Sequence, residues 1–330
     1  MSASDASVID IHAHAVLPQT FEQAGRFGPW LFEEEDGTPV FRIGEYRLRN
    51  VRYRGSAFME PEVRLVAMDR SGIAFQLLSP NPLTYFHYIP AEEATRFCRR
   101  HNDAMADLVA AYPDRLAGSA CLPMQDIPAA IEELDRAVRD LGLRAAYIGT
   151  DLPLGLDDPA MDPFYARVVE LDVPLFLHPA PAGIDGPAGS PALKKYELDI
   201  LAGFTMQETI AVATLIFGGV LHRHPGIDIC ISHGGGALAL VWGRLRHAAH
   251  KRPWVADYLR ADGAFEEEAR KLWFDIHMHD DEALALLARR VGTSRLVYGT
   301  NFAGWDAPER FTLPVIDAPL ADNARRLLRL

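Results

Sequence analysis

The sequence has few cysteines, and their scarcity excludes two kinds of stabilising site. Only Cys98, Cys121 and Cys230 occur in 330 residues, too few and too scattered for a disulfide framework or a cysteine zinc site. No stretch offers about 18 apolar residues without a charge, so no membrane-spanning helix is expected. The first seven residues lack a basic region and a long apolar core, so we expect no secretory signal and a cytoplasmic protein.

Basic residues are also in the minority. The 33 lysines and arginines are outnumbered by 45 aspartates and glutamates, which gives a formal net charge of −12. This balance argues against nucleic acid or an anionic membrane as a partner. It does not exclude a small anionic substrate, because a few local arginines can make the electrostatic potential positive at one site of an acidic protein.

Short apolar and β-branched segments alternate with amphipathic helical stretches along the chain. The predicted strands are 8–14, 73–79, 116–121, 144–149, 173–178, 227–233, 271–277 and 294–300. Eight such strands with helices between them favour a single parallel (β/α)₈ barrel domain over 1–330 rather than an open sheet.

Two segments interrupt this alternation. Residues 15–60, rich in aromatic residues and arginine, form a long insertion after the first strand, and the Gly/Pro-rich residues 180–205 follow the fifth. Both leave from the carboxyl ends of strands, where barrel enzymes build their active sites. We therefore expect both segments to cover a substrate.

Four histidines mark the carboxyl ends of three predicted strands. His12 and His14 are two residues apart and share one face of the first strand, while His178 and His233 end the fifth and sixth. Imidazole is a common ligand of zinc and iron, so this arrangement predicts a metal site. Three glycines follow His233, and we expect them to let a ligand approach the backbone closely.

These residues belong to longer motifs. The motifs are Asp10-Ile-His-Ala-His14, His101-Asn-Asp103, His178-Pro179, Ser232-His-Gly-Gly-Gly236 and Gly243-Arg244. On these motifs the sequence resembles the amidohydrolase superfamily over nearly its whole length, within the branch of aminocarboxymuconate-semialdehyde decarboxylase and the hydroxybenzoate decarboxylases.

The resemblance implies a distorted (β/α)₈ barrel with one catalytic divalent metal. We expect zinc, with manganese or iron as alternatives. By the resemblance, His12, His14 and His178 are metal ligands. His233, which we also count among the ligand candidates, would hold or deprotonate the metal-bound water and shuttle the proton.

Two arginines match positions that bind a substrate carboxylate in the family. Arg52 lies in the insertion, and Arg244 matches an arginine that is lent across a dimer interface, so we expect a homodimer or a heterodimer with a related chain. Arg52 could equally be one of several solvated arginines, since Arg47, Arg49 and Arg54 are its neighbours.

The sequence departs from the family after the eighth strand. Asn301 stands where the family carries an aspartate at the metal, and we place it with His233 in the catalytic set and among the candidate ligands. Two unit charges 4 Å apart interact by about 4 kcal/mol at an effective dielectric near 20. We therefore expect a site that is more electrophilic, weaker in metal affinity or rewired, with Asp306 as the residue that could reach back.

A second histidine pair ends the seventh predicted strand. His277 and His279 are either surface residues or extra metal ligands. Extra ligands would suit the dinuclear iron or manganese site found in a few proteins that resemble this branch and activate oxygen.

The predicted function is a metal-dependent, non-oxidative decarboxylase of an unsaturated or hydroxy-aromatic carboxylic acid. Three alternatives stay open: a hydrolase or hydratase acting on a small carboxylated substrate, a dinuclear oxygenase, and a non-catalytic partner subunit.

Overall fold

The structure, a computed structural model, describes residues 8–307 and 316–330. Its strands are β1 (Val8–Ala15), β2 (Trp30–Glu33), β3 (Pro39–Ile43), β4 (Tyr46–Arg49), β5 (Ile73–Pro80), β6 (Leu116–Cys121), β7 (Ala145–Gly149), β8 (Leu175–His178), β9 (Ile229–Ile231), β10 (Trp273–Asp275) and β11 (Leu296–Val297). Its α-helices are α1 (Pro61–Arg70), α2 (Ala91–Ala111), α3 (Ile127–Arg139), α4 (Asp162–Glu170), α5 (Phe204–Phe217), α6 (Val220–Arg223), α7 (Leu238–Lys251), α8 (Ala264–Ala269), α9 (Asp281–Val291) and α10 (Leu320–Leu328). The first seven residues, on which the expectation about a signal rests, lie outside the described residues.

Eight of the strands form one parallel sheet in the order β1-β5-β6-β7-β8-β9-β10-β11. The sheet closes on itself because Ile11 N donates to Tyr298 O at 3.0 Å and Phe302 N donates to His12 O at 3.0 Å. Every one of these strands overlaps its predicted segment. The prediction of a (β/α)₈ barrel is therefore confirmed.

Some strands are shorter than the sequence predicts. β9 ends at Ile231 and β10 at Asp275, so His233 and His277 lie just beyond the ladder rather than inside it. At His233 the backbone takes a φ of 46°, a left-handed conformation that a strand residue cannot adopt. The chain therefore turns at the barrel mouth, at His233 itself.

The predicted insertion holds the antiparallel sheet β2-β3-β4. Its buried residues Phe41 and Ile43 share a hydrophobic cluster with Phe86 and with Phe97 of α2. Tyr53, near the end of the insertion, accepts a hydrogen bond from Asn81 Nδ2 at 3.0 Å. The insertion is thereby fixed beside the carboxyl end of β5.

The Gly/Pro-rich segment is partly helical. Residues Pro191–Glu197 form 3₁₀ turns, and a π-helical turn at Asp199–Gly203 continues directly into α5. Within the described ranges, Asp199–Phe217 is the stretch that is long and apolar enough to cross a membrane by length and composition. That signal is weak, because Glu208 in this helix is buried against the barrel and a core helix of a barrel passes the same test.

The segment after Asn301 is short for an eighth barrel helix, yet it ends in α10. Ala324, Leu327 and Leu328 of this helix join the cluster that contains Ile11 and Val297 of the closing strands. Asn323 Nδ2 donates to Thr293 O at 2.8 Å and to Leu296 O at 2.7 Å. The C-terminal helix thus packs where the barrel closes.

Candidate metal centre

The barrel brings the four predicted histidines together. The ring centroid of His12 lies 5.1 Å from that of His14, 4.9 Å from that of His178 and 5.0 Å from that of His233. His12, His14 and His178 are buried, and their ligand atoms lie within 4.8 Å of one another. The carboxyl ends of parallel strands meet at one face of a barrel, which explains why residues so far apart in sequence converge.

Hydrogen bonds fix the tautomer of each of these three rings. Nδ1 of His12 lies 2.8 Å from the Asp275 carboxylate, and Nδ1 of His14 lies 2.9 Å from Pro80 O. Nδ1 of His178 lies 2.6 Å from Pro179 O. Because each partner is an acceptor, each Nδ1 carries the proton and each Nε2 presents a lone pair.

The three lone pairs face one another without a donor between them. Nε2 of His12 and Nε2 of His14 are 3.3 Å apart, and Nε2 of His178 is buried with no partner among the described residues. Burial, followed by the neighbouring histidines, lowers the pKa of His12 and of His178, and burial lowers the pKa of His14 to about 3. Three neutral imidazoles arranged in this way fit a divalent cation such as zinc.

His233 is held differently from the other three histidines. Its Nδ1 donates to Glu208 Oε1 at 2.6 Å, and Ser232 Oγ donates to the same oxygen at 2.5 Å. Burial opposes protonation of His233, but the charge and hydrogen bond of Glu208 outweigh it and raise the pKa to about 9. Glu208 therefore favours the protonated form of His233 and fixes its Nδ1, so that Nε2 is the nitrogen that can face a substrate.

Two buried carboxylates of this site were missed by the sequence analysis. Glu208 stands alone as an acid in the apolar run 204–217, a signal that could have identified it. Asp275 lies at the end of β10, two residues before His277. That spacing is a second signal, and it could have identified Asp275 as part of the site. Its Oδ1 accepts from His277 N at 3.1 Å and from Gly234 N at 3.3 Å, so it also orients the neighbouring turns.

Asp10 anchors the strand that carries His12 and His14. Its carboxylate accepts from His12 N at 3.1 Å, from Thr300 Oγ1 at 2.8 Å and from Gln76 Nε2 at 2.9 Å. Arg64 extends this network by donating to Gln76 Oε1 at 3.0 Å and to His14 O at 2.6 Å. β1 is thereby tied to β5 through Gln76 and to the segment after β11 through Thr300.

The glycines after His233 serve packing, which corrects the expectation that they leave space for a ligand. A Cβ on Gly234 would lie 2.4 Å from Met278 Sδ, and one on Gly236 would lie 2.0 Å from Thr205 O. Both glycines also have positive φ values, of 62° and 65°. The space beside them is filled by the protein, which lets α5 approach the turn and bring Glu208 to His233.

A second group of candidate ligands lies beside the first. His233, His277 and Asp306 place ligand atoms within 4.8 Å of one another. His277 Nε2 is 3.0 Å and His279 Nε2 is 3.2 Å from Asp306 Oδ2. His277 is 6% exposed, so it is no surface residue, whereas the side chain of His279 is 54% exposed.

Asp306 does reach back toward the site, and it does so through Asn301. Asn301 Nδ2 donates to Asp306 Oδ1 at 2.6 Å. Burial opposes ionisation of Asp306, but the hydrogen bond and charge of His277, the hydrogen bond of His279 and the charge of His233 outweigh it and lower its pKa. Asp306 thus places a negative charge beside His277 and His279, five residues after Asn301.

The two predicted arginines are exposed side chains. Neither Arg52 nor Arg244 forms an ion pair within residues 8–307 and 316–330. Arg244 lies on α7, on the outside of the barrel.

Comparisons by sequence and by structure identify known proteins that are similar to this chain. The sequence model of a family described as amidohydrolase matches residues 9–330. A 2-amino-3-carboxymuconate-6-semialdehyde decarboxylase of Dictyostelium discoideum is 29% identical over 89% of this chain and 81% of its own length. A gamma-resorcylate decarboxylase of Rhodococcus jostii is 31% identical over 75% of this chain and 72% of its own. A solved 2,6-dihydroxybenzoate decarboxylase in complex with 2,6-dihydroxybenzoate is 26% identical, covers 98% of this chain and 99% of its own, and superposes with a TM-score of 0.76.

Proposed function

This chain belongs to the amidohydrolase family, and from that premise we propose that it is a metal-dependent, non-oxidative decarboxylase of a hydroxy-aromatic or unsaturated carboxylic acid. One observation carries the proposal: the ligand atoms of His12, His14 and His178 converge, and the ring centroid of His233, whose Nδ1 is bonded to Glu208, lies 5.0 Å from that of His12. Decarboxylation without an oxidant needs both, a stabiliser of negative charge and a proton donor. The relatives named above, which are decarboxylases, support the same reaction.

His12, His14 and His178 would hold the cation through Nε2. A divalent cation bound there would polarise a substrate oxygen and stabilise the negative charge that develops as the carbon–carbon bond breaks. Zinc suits three neutral histidines, with manganese or iron as the alternatives. The Nδ1 bond of His12 to Asp275 would strengthen the ligand and fix its orientation.

His233 would supply the proton. The electron pair of the broken bond stays on the substrate carbon, carbon dioxide leaves, and the proton from His233 Nε2 takes the place of the carboxylate. Glu208 keeps His233 protonated and orients its ring. A positioned acid of this kind contributes about 10²- to 10⁴-fold to the rate.

Arg52 would hold the substrate carboxylate, together with Arg244 of a second copy of the chain. A guanidinium binds a carboxylate with two parallel hydrogen bonds and so orients it. We propose that the protein is cytoplasmic and forms a homodimer. The dimer is supported by exposed apolar side chains on α5 and α7, namely Met206, Ile210 and Leu240, of which Leu240 lies one helical turn from Arg244. The two helices are joined by the hydrogen bond from Ala237 N to Thr209 Oγ1 at 2.8 Å, so one partner could cover both.

The proposal is tested by the mass of the product. Metal-loaded protein is incubated with 2,6-dihydroxybenzoate, 2-hydroxybenzoate and unsaturated dicarboxylic acids, and carbon dioxide release is measured together with product mass. We expect a product whose mass is lower than that of the substrate by one carbon dioxide. This product should be absent with His178→Ala and present with the exposed-surface control His247→Ala. A product that has gained water would overturn the decarboxylase in favour of a hydratase, and a chain that binds no metal would indicate a partner subunit.

The second group, formed by His233, His277 and Asp306, favours a second candidate, a dinuclear oxygenase. Elemental analysis separates the two functions. One ion per chain and no oxygen uptake supports the decarboxylase, and two redox-active ions per chain with substrate-dependent oxygen uptake supports the oxygenase.

A further inference from the structure

Arg64 on α1 is a buried cation in contact with a proposed metal ligand. It is only 2% exposed, which is rare for arginine. Its Nη2 donates to His14 O at 2.6 Å, and its Nη1 donates to Gln76 Oε1 at 3.0 Å. Its guanidinium carbon also lies 5.2 Å from the ring centroid of Phe302, a distance at which a cation is attracted to an aromatic face. Arg64 therefore links α1 to β1, to β5 and to the segment after β11.

The opposite charge is supplied by Asp10, through one intervening amide. Gln76 accepts from Arg64 through Oε1 and donates to Asp10 Oδ2 through Nε2 at 2.9 Å. Burial lowers the pKa of Arg64 to about 10, and the charge of Asp10 opposes that fall, so the guanidinium stays protonated at neutral pH. Since a buried charge without compensation is costly, this connection holds Arg64 in one place.

On one side, Arg64 fixes the main chain of His14. A hydrogen bond from a charged donor is shorter and stronger than one between neutral groups. The ring of His14 is held from β5, because its Nδ1 lies 2.9 Å from both Pro80 O and Ser79 Oγ. The direction of Nε2 thus depends on two restraints, one on the ring and one on the main chain. Such restraints matter because a metal ligand must be held within about 0.5 Å of its productive position.

On the other side, Arg64 contacts the residue that follows Asn301. Phe302 N donates to His12 O at 3.0 Å, so the segment after β11 is bound to β1 at this point. Asn301 itself has a φ of 48°, a left-handed conformation that a residue other than glycine keeps only when its surroundings enforce it. The Phe302 ring, which lies beside the guanidinium, is the neighbour through which Arg64 restrains this turn.

We propose that Arg64 is a positioning residue of the metal centre, which holds the main chain of His14 and the ring of Phe302 in a fixed relation. The ligand at the end of β1 and the turn at Asn301 then stay aligned. The inference rests on the metal site of the proposed function. A guanidinium has no lone pair to offer a cation, so Arg64 acts through these two neighbours and is not itself a ligand.

The charge of Arg64 has the opposite effect on metal binding. Burial is the main cause of the low pKa of His14, and the charge of Arg64 adds to it. The same charge must also repel a cation bound at His14. If the charge alone mattered, removing Arg64 would strengthen metal binding, whereas a loss of positioning would weaken it. The sign of the change therefore separates the two roles.

Three variants test the proposal. Arg64→Met keeps an apolar stem but removes the charge and the donors, and Arg64→Lys keeps a charge and a donor. Arg70→Met changes an exposed arginine of the same helix and is the matched control. Zinc affinity is measured by competition with a chromogenic chelator. Amide hydrogen exchange of the metal-free proteins is followed in peptides that span 8–16 and 298–304, and thermal unfolding checks that each variant is folded.

We expect Arg64→Met to bind zinc about 10- to 100-fold more weakly than wild type. Exchange in both peptides should be about tenfold faster, since a hydrogen bond to a charged group is lost. Arg64→Lys should recover most of both losses, and Arg70→Met should match wild type. A merely structural role would lower the unfolding temperature and leave the zinc affinity of the folded protein unchanged. If Arg64→Met does not fold, Arg64→Gln takes its place, with changes in the same direction.

The inference is overturned if the folded variant binds zinc as tightly as wild type or more tightly, because the charge or the bulk of Arg64 then outweighs any positioning. It is also overturned if zinc binding weakens while exchange in both peptides stays as in wild type. In both cases the proposed function stands. If wild type binds neither zinc nor manganese, the proposed function fails and the inference fails with it.

Discussion

His12 on the first barrel strand donates its Nδ1 proton to Asp275 on the seventh, with 2.8 Å between nitrogen and oxygen. The bond leaves His12 Nε2 unprotonated and aimed at His14 and His178. Replacing Asp275 by Asn removes the charge and can present an amide donor to Nδ1, which would favour the wrong tautomer of His12. We predict that Asp275→Asn weakens metal affinity about 10- to 100-fold.

A competition titration with a chromogenic chelator measures this change. The matched control is Asp281→Asn, the same substitution at an exposed position, which should bind metal as wild type does. Equal affinity in Asp275→Asn and wild type would show that His12 is not oriented through this carboxylate.

Glu208 should matter for turnover rather than for metal binding. Glu208→Gln removes the charge that keeps His233 protonated, and we predict that kcat falls about 10²- to 10³-fold while KM changes less than about threefold. Steady-state kinetics and metal content of the same samples measure both. Glu268→Gln, which changes another buried glutamate, one that pairs with Lys271, should leave kcat unchanged, and a fall in metal content in Glu208→Gln would contradict the assigned role.

The proposed dimer predicts complementation between two variants that each bind substrate weakly. Arg52→Leu and Arg244→Leu should each raise KM at least about tenfold, because each loses one charged contact to the substrate carboxylate. In a mixed dimer, one of the two sites contains both mutations and the other contains neither. Mixing and refolding the two variants should therefore restore turnover at low substrate concentration.

Arg54→Leu is the control for Arg52, since Arg54 is equally exposed two residues away. It should show the KM of wild type. If mixing restores turnover, Arg244 must act across the dimer. If turnover is not restored in samples shown to contain mixed dimers, either both arginines bind substrate in the site of their own chain or neither binds substrate.

The sequence predicted the barrel and the convergence of four histidines because both follow from local patterns. Strand segments are recognisable from composition, and the carboxyl ends of parallel strands must share one face of the barrel. The hydrogen-bond partners of those histidines could not be predicted from local patterns. Glu208 reaches His233 only through the packing of α5 on the glycine turn, and no spacing rule links positions 208 and 233.

Asn301 shows the same limit. The sequence identified a missing aspartate and suggested Asp306 as a substitute, and Asp306 does contact Asn301. Its second oxygen faces His277 and His279 instead of the first three histidines, a direction set by the turn after β11.

Asp228 gives a prediction about stability that is independent of the metal. Its Oδ1 accepts from Trp273 Nε1 and from Arg295, each at 2.7 Å, and its Oδ2 lies 2.9 Å from Arg329. Burial opposes ionisation of Asp228, but these hydrogen bonds and charges outweigh it and lower its pKa. A carboxyl with a lowered folded-state pKa stabilises the fold at pH values above its unfolded value of about 3.9, and this contribution is lost as the pH falls through the folded value.

We therefore predict that Asp228→Asn lowers the free energy of unfolding by about 1 to 3 kcal/mol at pH 7, and that the difference from wild type narrows below about pH 4. Denaturant unfolding of the metal-free proteins at both pH values measures it. The exposed control Asp262→Asn should match wild type throughout. A difference of the same size at both pH values would mean that Asp228 stabilises through its shape and hydrogen bonds alone, because a charge contribution must disappear once the carboxyl is protonated in the folded protein.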